Sequence, residues 1–444
     1  MSRTALSTLL LALLAALPAA AQSPGPLTLD EAIAQALERN PIVRASAAGE
    51  EASAARVRQA RAGYFPRVDI VEGWQRGDNP VYVFSSLLSQ RRFTAANFAL
   101  DALNHPDPLA NFRAAITIEQ PLFDGLRTRS AMKAATLDTE LSRLDTRAAA
   151  AELRLSVITA FGSAQAAQAG RAYAAAAVTA AEEDLRRAID RRDAGVETEA
   201  SVLAFRVQLS NARSRLVKAT ADETVARAGL NAAMGVPLDD SRPLAPMAPR
   251  GSADVDPAVL ETEALASRPE VLQAGLRRDM ASSAADTARA GFLPQVFVQG
   301  GAEANGGSFG DRASSWIAAL QLRWNLFAGG ADRARMQEAA AGIKRAEAER
   351  DRLLDAVRLE VRTAVARYHS AVAHEATTRE MVGQARESQR IIRDRYEAGL
   401  APAIEVLRAA ELVAQSEAAS VAAVTDVHIT AAALERAVGR QGSR

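Results

Sequence analysis

Cysteine is absent from this sequence, and neither sign of charge is in excess. The lack of cysteine excludes a disulfide framework, a thiolate metal site and a cysteine nucleophile, and it also excludes a lipid attached to an N-terminal cysteine. Lysine plus arginine and aspartate plus glutamate each number 53, so no net field attracts nucleic acid. Aromatic residues make up only 5% of the chain, and the abundance of alanine is typical of long, closely packed helices.

Motifs of the common enzyme classes are also missing. The sequence has no glycine-rich phosphate loop before a helix and no serine nucleophile elbow. His369 and His374 are five positions apart, so they do not share a helical face well enough to chelate a metal. The glycine-rich stretch 300–310 precedes no helix and is predicted to join two strands. The sequence therefore predicts a protein that is not an enzyme and has no cofactor, no metal site and no nucleic-acid partner.

Long apolar runs are missing beyond the N-terminus. Residues 1–21 combine Arg3, an apolar run at 9–17 and the small residues 19–21, which is the pattern of a secretory signal peptide and its cleavage site. The alternative, a membrane-anchoring helix, fits less well because the run is short and ends at Pro18. No later stretch approaches the ~20 apolar residues that a spanning helix needs. If the mature chain enters a membrane, it must do so as β-strands.

The sequence does contain an internal duplication. The octamer RAGYFPRV at 61–68 returns as RAGFLPQV at 289–296, an offset of 228 positions. PLFDGLRTR at 121–129 returns as NLFAGGADR at 325–333, where the offset is 204. A fixed register with one insertion, within 80–112, indicates two structural repeats. The insertion is rich in aromatic and aliphatic residues, so we expect an ordered loop. If the strands on either side of it cross a membrane as part of a pore, we expect this loop to lie at the outer mouth of the pore and to fold over its opening.

Each repeat is predicted to contain a helix, a β-hairpin, a very long helix, a tip turn and a return helix. The first repeat occupies 22–240, with its hairpin at about 66–122, its long helix at about 126–193 and its tip turn near Gly195. The second occupies 258–444, with its hairpin at about 294–326, its long helix at about 331–397 and its tip turn near Gly399. Residues 241–257 form a linker between them.

The long helices are inferred from missing proline and from a coiled-coil-like stripe. Residues 331–397 contain no proline, and their apolar positions are mostly three, four or seven apart. At about 1.5 Å per residue such a helix reaches on the order of 100 Å. Few monomeric domains accommodate that length, which favours packing into a bundle or a tube.

One predicted strand, 314–327, alternates apolar and polar residues. Gln321 and Arg323 share one face, and we assign the opposite face to lipid, with Trp316, Leu320, Leu322 and Trp324. This alternation, with a tryptophan at each end, is typical of a transmembrane β-barrel strand. The alternative is a hairpin at the edge of a soluble domain. Four strands per chain cannot close a barrel, because eight is the usual minimum, so several copies would have to contribute.

The sequence resembles the TolC family of outer-membrane efflux proteins over nearly the whole mature chain. The resemblance is carried by LTLDEAIAQALERNP at 27–41, by the paired RAGYFP and RAGFLP junctions, by PLFDG and NLFAGG, and by the two glycine-ended tip segments. It implies a mainly α protein with a membrane β-barrel: a homotrimer whose twelve-stranded barrel, four strands per chain, continues into a trimeric α-helical tunnel of long coiled-coil-like helices. It also implies the outer membrane of a Gram-negative bacterium, with the tunnel in the periplasm.

The resemblance assigns roles to the tip turns, which close the periplasmic entrance and contact the adaptor. The matching adaptor-contacting positions are Arg191, Arg192, Gly195, Val196, Arg395, Gly399 and Leu400. Glu405 and Tyr396 match residues of the family's closed entrance, whereas Arg408 and Ala401 depart from its pattern. We expect Glu405 from three chains to form an acidic ring that attracts cations. The alternative is an ordinary solvated carboxylate.

The function implied is that of an exit duct. A trimeric outer-membrane channel of this kind would pass small molecules from a periplasmic adaptor and an inner-membrane pump, of the RND or ABC type, to the outside. One alternative is an exit duct for type I protein secretion. Another, of a different class, is a soluble secreted coiled-coil scaffold.

Overall fold

The computed structural model describes residues 25–247 and 256–440. The predicted signal peptide, 1–21, and residues 248–255 of the predicted linker lie outside this range. In chain order the elements are α1 (Leu29–Arg39), α2 (Pro41–Arg61), β1 (Arg67–Gly77), α3 (Pro80–Ser89), α4 (Leu100–Asn104), β2 (Leu109–Phe123), α5 (Arg127–Asp193), α6 (Glu199–Met234), α7 (Pro257–Ser267), α8 (Pro269–Ala290), β3 (Gln295–Gly306), β4 (Ala313–Arg323), α9 (Ala331–Glu397) and α10 (Ala403–Val438). Among these helices none is both long enough and apolar enough to cross a membrane.

The four longest helices form two pairs of equal length. Helices α5 and α9 each have 67 residues, and α6 and α10 each have 36. All four are followed by a glycine in the left-handed conformation, with φ between 71° and 82°. Glycine adopts this conformation without the Cβ clash that other residues incur, which is why it commonly ends a helix. The duplicated sequence therefore produces duplicated helix ends.

The four strands form one antiparallel sheet in the order β1-β2-β3-β4. The register pairs Ile70 with Ile116, Ile116 with Ala302, and Ala302 with Trp316. Because side chains alternate between the faces of a sheet, these residues share one face. The expectation of four strands per chain is confirmed, although β4 ends at Arg323 and does not continue to Phe327.

Two segments predicted as loops contain regular structure. The first part of the glycine-rich stretch, 300–306, belongs to β3. At Gly301 a Cβ would lie 3.1 Å from the Ile116 carbonyl oxygen, so a glycine suits the close approach of β2. Within 80–112 the chain forms α3, a 3₁₀ turn at Ala95–Phe98 and α4. Helix α3 forms because Asn79 caps it, its side chain accepting from the Tyr82 amide at 3.2 Å, and Pro80 occupies the first turn.

The contacts of the chain divide it into two units. One contains residues up to 47, 145–272 and 353 onward, and the other contains 48–144 and 273–352. The first unit has a core where α1 meets α5 and α6, centred on Ile33, Val157, Phe161 and Leu230. A second core in this unit joins α7, α9 and α10 around Leu260, Val361 and Val438. The sheet and the junctions that lead into it belong to the second unit.

Candidate functional site: the tip turns

Two tight turns, which we call the tip turns, connect α5 to α6 and α9 to α10. In the first, the Gly195 amide donates to the Arg192 carbonyl at 2.8 Å and the Val196 amide donates to the Arg191 carbonyl at 3.0 Å. In the second, Gly399 donates to Tyr396 at 3.0 Å and Leu400 donates to Arg395 at 2.7 Å. This pair of hydrogen bonds is the Schellman motif, which satisfies the last carbonyls of a helix. The sequence analysis predicted both turns from their glycines.

A small apolar cluster holds the two tip turns together within one chain. It consists of buried residues from all four neighbouring helices: Ala188, Val202, Phe205, Tyr396, Ala403 and Val406. The Phe205 and Tyr396 rings have their centroids 6.0 Å apart. The cluster fixes the positions of the polar side chains around it, because those side chains emerge from the same helix ends.

Tyr396 is buried and links the two turns. Its hydroxyl donates to Glu197 Oε2 at 2.9 Å, and the Arg191 guanidinium lies over its ring, 4.8 Å from the centroid. Arg191 also donates to the Glu397 carbonyl at 3.1 Å. The sequence analysis assigned Tyr396 to the entrance but missed Glu197. The only signal for Glu197 was its position two residues after the first tip glycine.

Burial and hydrogen bonding together shift the pKa values of Tyr396 and Glu197. Burial, followed by the hydrogen bond to Glu197, raises the pKa of Tyr396 to about 12. Burial acts to raise the pKa of Glu197, but hydrogen bonds from Ser201, Tyr396 and the Thr198 amide outweigh it, so that pKa is lowered. The Tyr396 hydroxyl is therefore protonated and the Glu197 carboxylate ionised at neutral pH, which is the combination that forms a charge-assisted hydrogen bond.

Other ion pairs surround this link. Arg192 donates to Glu199 Oε2 at 3.0 Å and to Asp193, while Arg187 donates to Glu397 Oε1 at 3.1 Å. A second pair missed by the sequence analysis joins Arg393 to Asp184 at 3.3 Å. Burial raises the pKa of Asp184 despite the nearby Arg393.

Of the other predicted tip residues, Val196, Leu400 and Arg395 are exposed and Glu405 is half-buried. Val196 and Leu400 occupy equivalent places one residue after the tip glycines and are 63% and 70% exposed. Arg395 is exposed, and its side chain has no ion-pair partner among residues 25–247 and 256–440. Glu405 lies in the first turn of α10 and is half-buried. Within the same described ranges its carboxylate has no hydrogen-bonding or ion-pair partner.

The predicted lipid-facing residues lie together on one face of the sheet. Trp316 is 81% exposed and Trp324, just after β4, is 56% exposed. Trp324 donates its indole N–H to the Phe292 carbonyl at 3.1 Å. Exposed apolar residues continue this face across the other strands: Val68, Ile70, Ile116, Ile118, Val298, Leu320 and Leu322.

Comparison with known proteins shows which class of protein has this fold and these tip turns. The chain belongs to the outer membrane efflux protein family, whose model matches residues 32–236 and 260–440. Members of this family are channels and not enzymes. They form trimers and work with adaptors and inner-membrane pumps. The protein is therefore an outer-membrane channel, and the alternative of a soluble scaffold is wrong.

Individual relatives support the same fold. The chain is 29% identical over 396 residues to Protein CyaE of Bordetella pertussis, a match covering 86% of this chain and 78% of that protein. A membrane protein from Pseudomonas aeruginosa superposes with a TM-score of 0.76 at 23% identity over 93% of each chain. The outer membrane protein VceC of Vibrio cholerae gives a TM-score of 0.74 at 18% identity, covering 93% of this chain and 96% of that one. The fold is that of a channel with an α-helical tunnel and a β-barrel.

Proposed function

We propose that this protein is the exit duct of a tripartite efflux system that releases small molecules from the cell. Three copies would place six tip turns at the periplasmic end of the tunnel, where an adaptor linked to an RND or ABC pump would dock. Val196 and Leu400 are exposed, and Arg395 has no ion-pair partner among the residues that the structure describes. These features support the role, because apolar and arginine side chains are favoured at protein interfaces. The same proposal assigns 22–240 and 258–444 to the two repeats and 241–257 to the linker.

We also propose that Glu405 narrows the entrance as an acidic ring. A half-buried carboxylate that has no cationic partner among residues 25–247 and 256–440 supports this role. Three such groups close to the symmetry axis would repel one another and attract cations. The Tyr396 link would hold each pair of tip turns in position around that ring.

The observation that carries the acidic ring is that the Glu405 carboxylate has no partner in the described part of the chain. Single-channel recording tests the ring. The purified trimer in a planar bilayer is expected to conduct in discrete steps and to be blocked by divalent cations added on the periplasmic side. Glu405→Ala should abolish this block. Glu417→Ala is the matched control, because Glu417 lies on the same helix but is already paired with Arg386 at 2.6 Å. A block that persists in Glu405→Ala would contradict the acidic ring.

The type of cargo requires a cellular experiment. A strain lacking this protein should retain fluorescent dyes and cationic antibiotics, and the intact gene should restore their release. The alternative, type I protein secretion, predicts that the same strain releases dyes normally but retains an exported protein in the cell. Loss of protein export alone would therefore replace efflux of small molecules with secretion.

A further inference from the structure

The connection between β1 and β2 differs from that between β3 and β4. Residues 78–108, which we call the strap, join the first pair of strands, whereas 307–312 are sufficient for the second. The strap has its own small core, in which Phe84 contacts Phe93 at 4.9 Å between ring centroids and Phe93 contacts Phe98 at 5.1 Å. Both contacts are edge-to-face, the arrangement that aromatic pairs prefer. The strap is therefore a packed substructure.

A buried chain of amides attaches the strap to the sheet. Gln90, at the end of α3, donates to the Ala110 carbonyl and to Asn111 Oδ1, both at 3.0 Å. Asn111 on β2 in turn donates to Asn305 Oδ1 on β3 at 2.9 Å. All three amide side chains are buried. Buried amides that satisfy one another in series specify one arrangement, because any displacement leaves a polar group unpaired.

The strap also reaches the two outer strands. The Tyr82 hydroxyl donates to the Gln75 carbonyl of β1 at 2.8 Å. Arg91 donates to the Ser314 carbonyl of β4 at 2.8 Å, and its backbone has a φ of 54°. A left-handed arginine is uncommon and persists only where surrounding contacts hold it. The strap thus contacts all four strands of the chain.

The register shows which face of the sheet the strap covers. Ala302 is paired with Trp316, so Asn305, three residues further along β3, points to the opposite face. Asn111 lies on that opposite face with Asn305. The face also carries the ion pair of Arg113 and Glu303, at 2.9 Å. In a transmembrane barrel the apolar face meets lipid and the polar face lines the interior, so the strap lies on the interior face.

The covered part of this face is confined to one end of the strands. Asn111 and Ala115 are buried, whereas Thr117 and Glu119, further along β2, are exposed. The strap joins the strand ends that are remote from the helix junctions, since β1 follows α2 and α5 follows β2. In the outer membrane this is the external end of the barrel.

We infer that the strap is a size-selecting constriction inside the outer mouth of the channel. Three straps, one from each copy, would occupy the external end of a single lumen. The channel then has a size limit at its outer end that is separate from the tip turns. This limit would admit small solutes and exclude large ones arriving from outside, whatever cargo the pump supplies.

Cysteine accessibility from the cell surface tests this inference independently of the tip turns. The natural chain has no cysteine, so Thr117→Cys places a single thiol on the interior face beyond the strap. Intact cells are treated with a small charged maleimide or with a maleimide carrying a long polymer chain. With the natural strap, the small reagent should label the thiol of the Thr117→Cys variant much faster than the large reagent does. Replacing 78–108 by the segment 307–312 should abolish this discrimination.

Two further variants keep the test decisive. Gln90→Ala with Asn111→Ala removes the buried amides without shortening the chain, and it should raise labelling by the large reagent even if the replacement fails to assemble. Gly310→Cys is the control, because a Cβ there meets nothing within 4 Å, and both reagents should label it in every background. Equal labelling of Thr117→Cys by the two reagents in the natural strap would overturn the constriction. Failure of the small reagent to label it in any background would overturn the interior assignment of this face.

Discussion

The first and second repeats build helices of equal length but use different side chains where those helices meet their neighbours. Their long helices have 67 residues each and their return helices 36. The tip of the first repeat carries Arg192 and Glu197, and the equivalent positions 204 residues later are Tyr396 and Ala401. The strand connections differ as well, since only the first contains the strap. The shared features set the lengths and ends of helices, and the differing features make specific contacts.

The contrast is sharpest where the first helix of each repeat ends beside a return helix. Asn40 donates to the Ala233 carbonyl at 2.8 Å and accepts from the Ile42 amide at 2.9 Å. Arg268 occupies the matching position and donates to the Ala437 carbonyl at 3.3 Å. Ala233 and Ala437 are 204 positions apart, so both side chains bind the same carbonyl of their return helix. A neutral amide suffices in one repeat, whereas the other uses a buried cation.

The largest effect is expected from Arg268→Ala. Arg268 is buried and also donates to Glu360 Oε2 at 2.6 Å and to Glu270 Oε2 at 3.3 Å. Removing one partner of a buried ion pair costs about 3 kcal/mol, because the other charges remain partly desolvated without compensation. The loss should appear as faster hydrogen exchange in α7 and in the last turn of α10.

Asn40→Ala is the matched variant in the first repeat. It removes neutral hydrogen bonds only, so the expected loss is about 1 kcal/mol in α1 and the last turn of α6. Arg268→Asn should destabilise the protein less than Arg268→Ala, because an asparagine can donate to the Ala437 carbonyl as Asn40 donates to Ala233. This variant should not match the natural chain, because an asparagine is too short to reach Glu360. Equal losses at positions 40 and 268 would mean that the charge in the second repeat adds nothing to its stability.

The sequence predicts the elements of this fold better than its contacts. Pro66 and Pro294 mark the start of strands, and Gly195 and Gly399 mark the ends of helices, because each residue has a local conformational preference. The Tyr396–Glu197 hydrogen bond joins residues 199 positions apart, and no local pattern encodes that distance. The strap was predicted as an ordered inserted loop, but its helices were not predicted, since α3 depends on one capping residue and α4 has only five residues. The roles of the tip residues stay predictions until they are measured.

The next largest effects concern the four capping glycines. Alanine at a left-handed position costs about 1–2 kcal/mol, and at Gly195 and Gly399 the new Cβ would meet nothing within 4 Å. Gly195→Ala and Gly399→Ala should therefore lower the stability of their helix ends by the same amount. At Gly235 the Cβ would lie 3.1 Å from the Asn40 backbone, and at Gly439 it would lie 2.7 Å from Ser267 Oγ. Gly235→Ala and Gly439→Ala should destabilise the protein more, because the new Cβ adds a steric clash with its neighbours to the backbone strain.

Hydrogen exchange at the amides that close the turns, those of Val196, Val236, Leu400 and Arg440, measures these losses one turn at a time. Gly170→Ala is the control, because Gly170 lies inside α5 with nothing within 4 Å of a new Cβ. That substitution should stabilise α5 by up to about 1 kcal/mol. A larger cost at Gly195 than at Gly235 would show that the tips, and not the helix junctions, are the more tightly constrained ends.

The smallest expected effect is on the titration of the Tyr396 hydroxyl, which joins the second tip to the first through Glu197. The pKa of Tyr396 is raised to about 12, above its usual value of about 10, so the folded tip favours the neutral hydroxyl. Its contribution to stability is complete below pH ~10 and is lost as the pH rises through the folded-state pKa. Tyrosinate absorbance should therefore show one of the five tyrosines titrating last, and Tyr396→Phe should remove that step. Glu197→Gln should move the step to lower pH, because a neutral acceptor stabilises the hydroxyl less than a carboxylate does. An unchanged titration curve in both variants would show that the two tips are not joined through this hydrogen bond in solution.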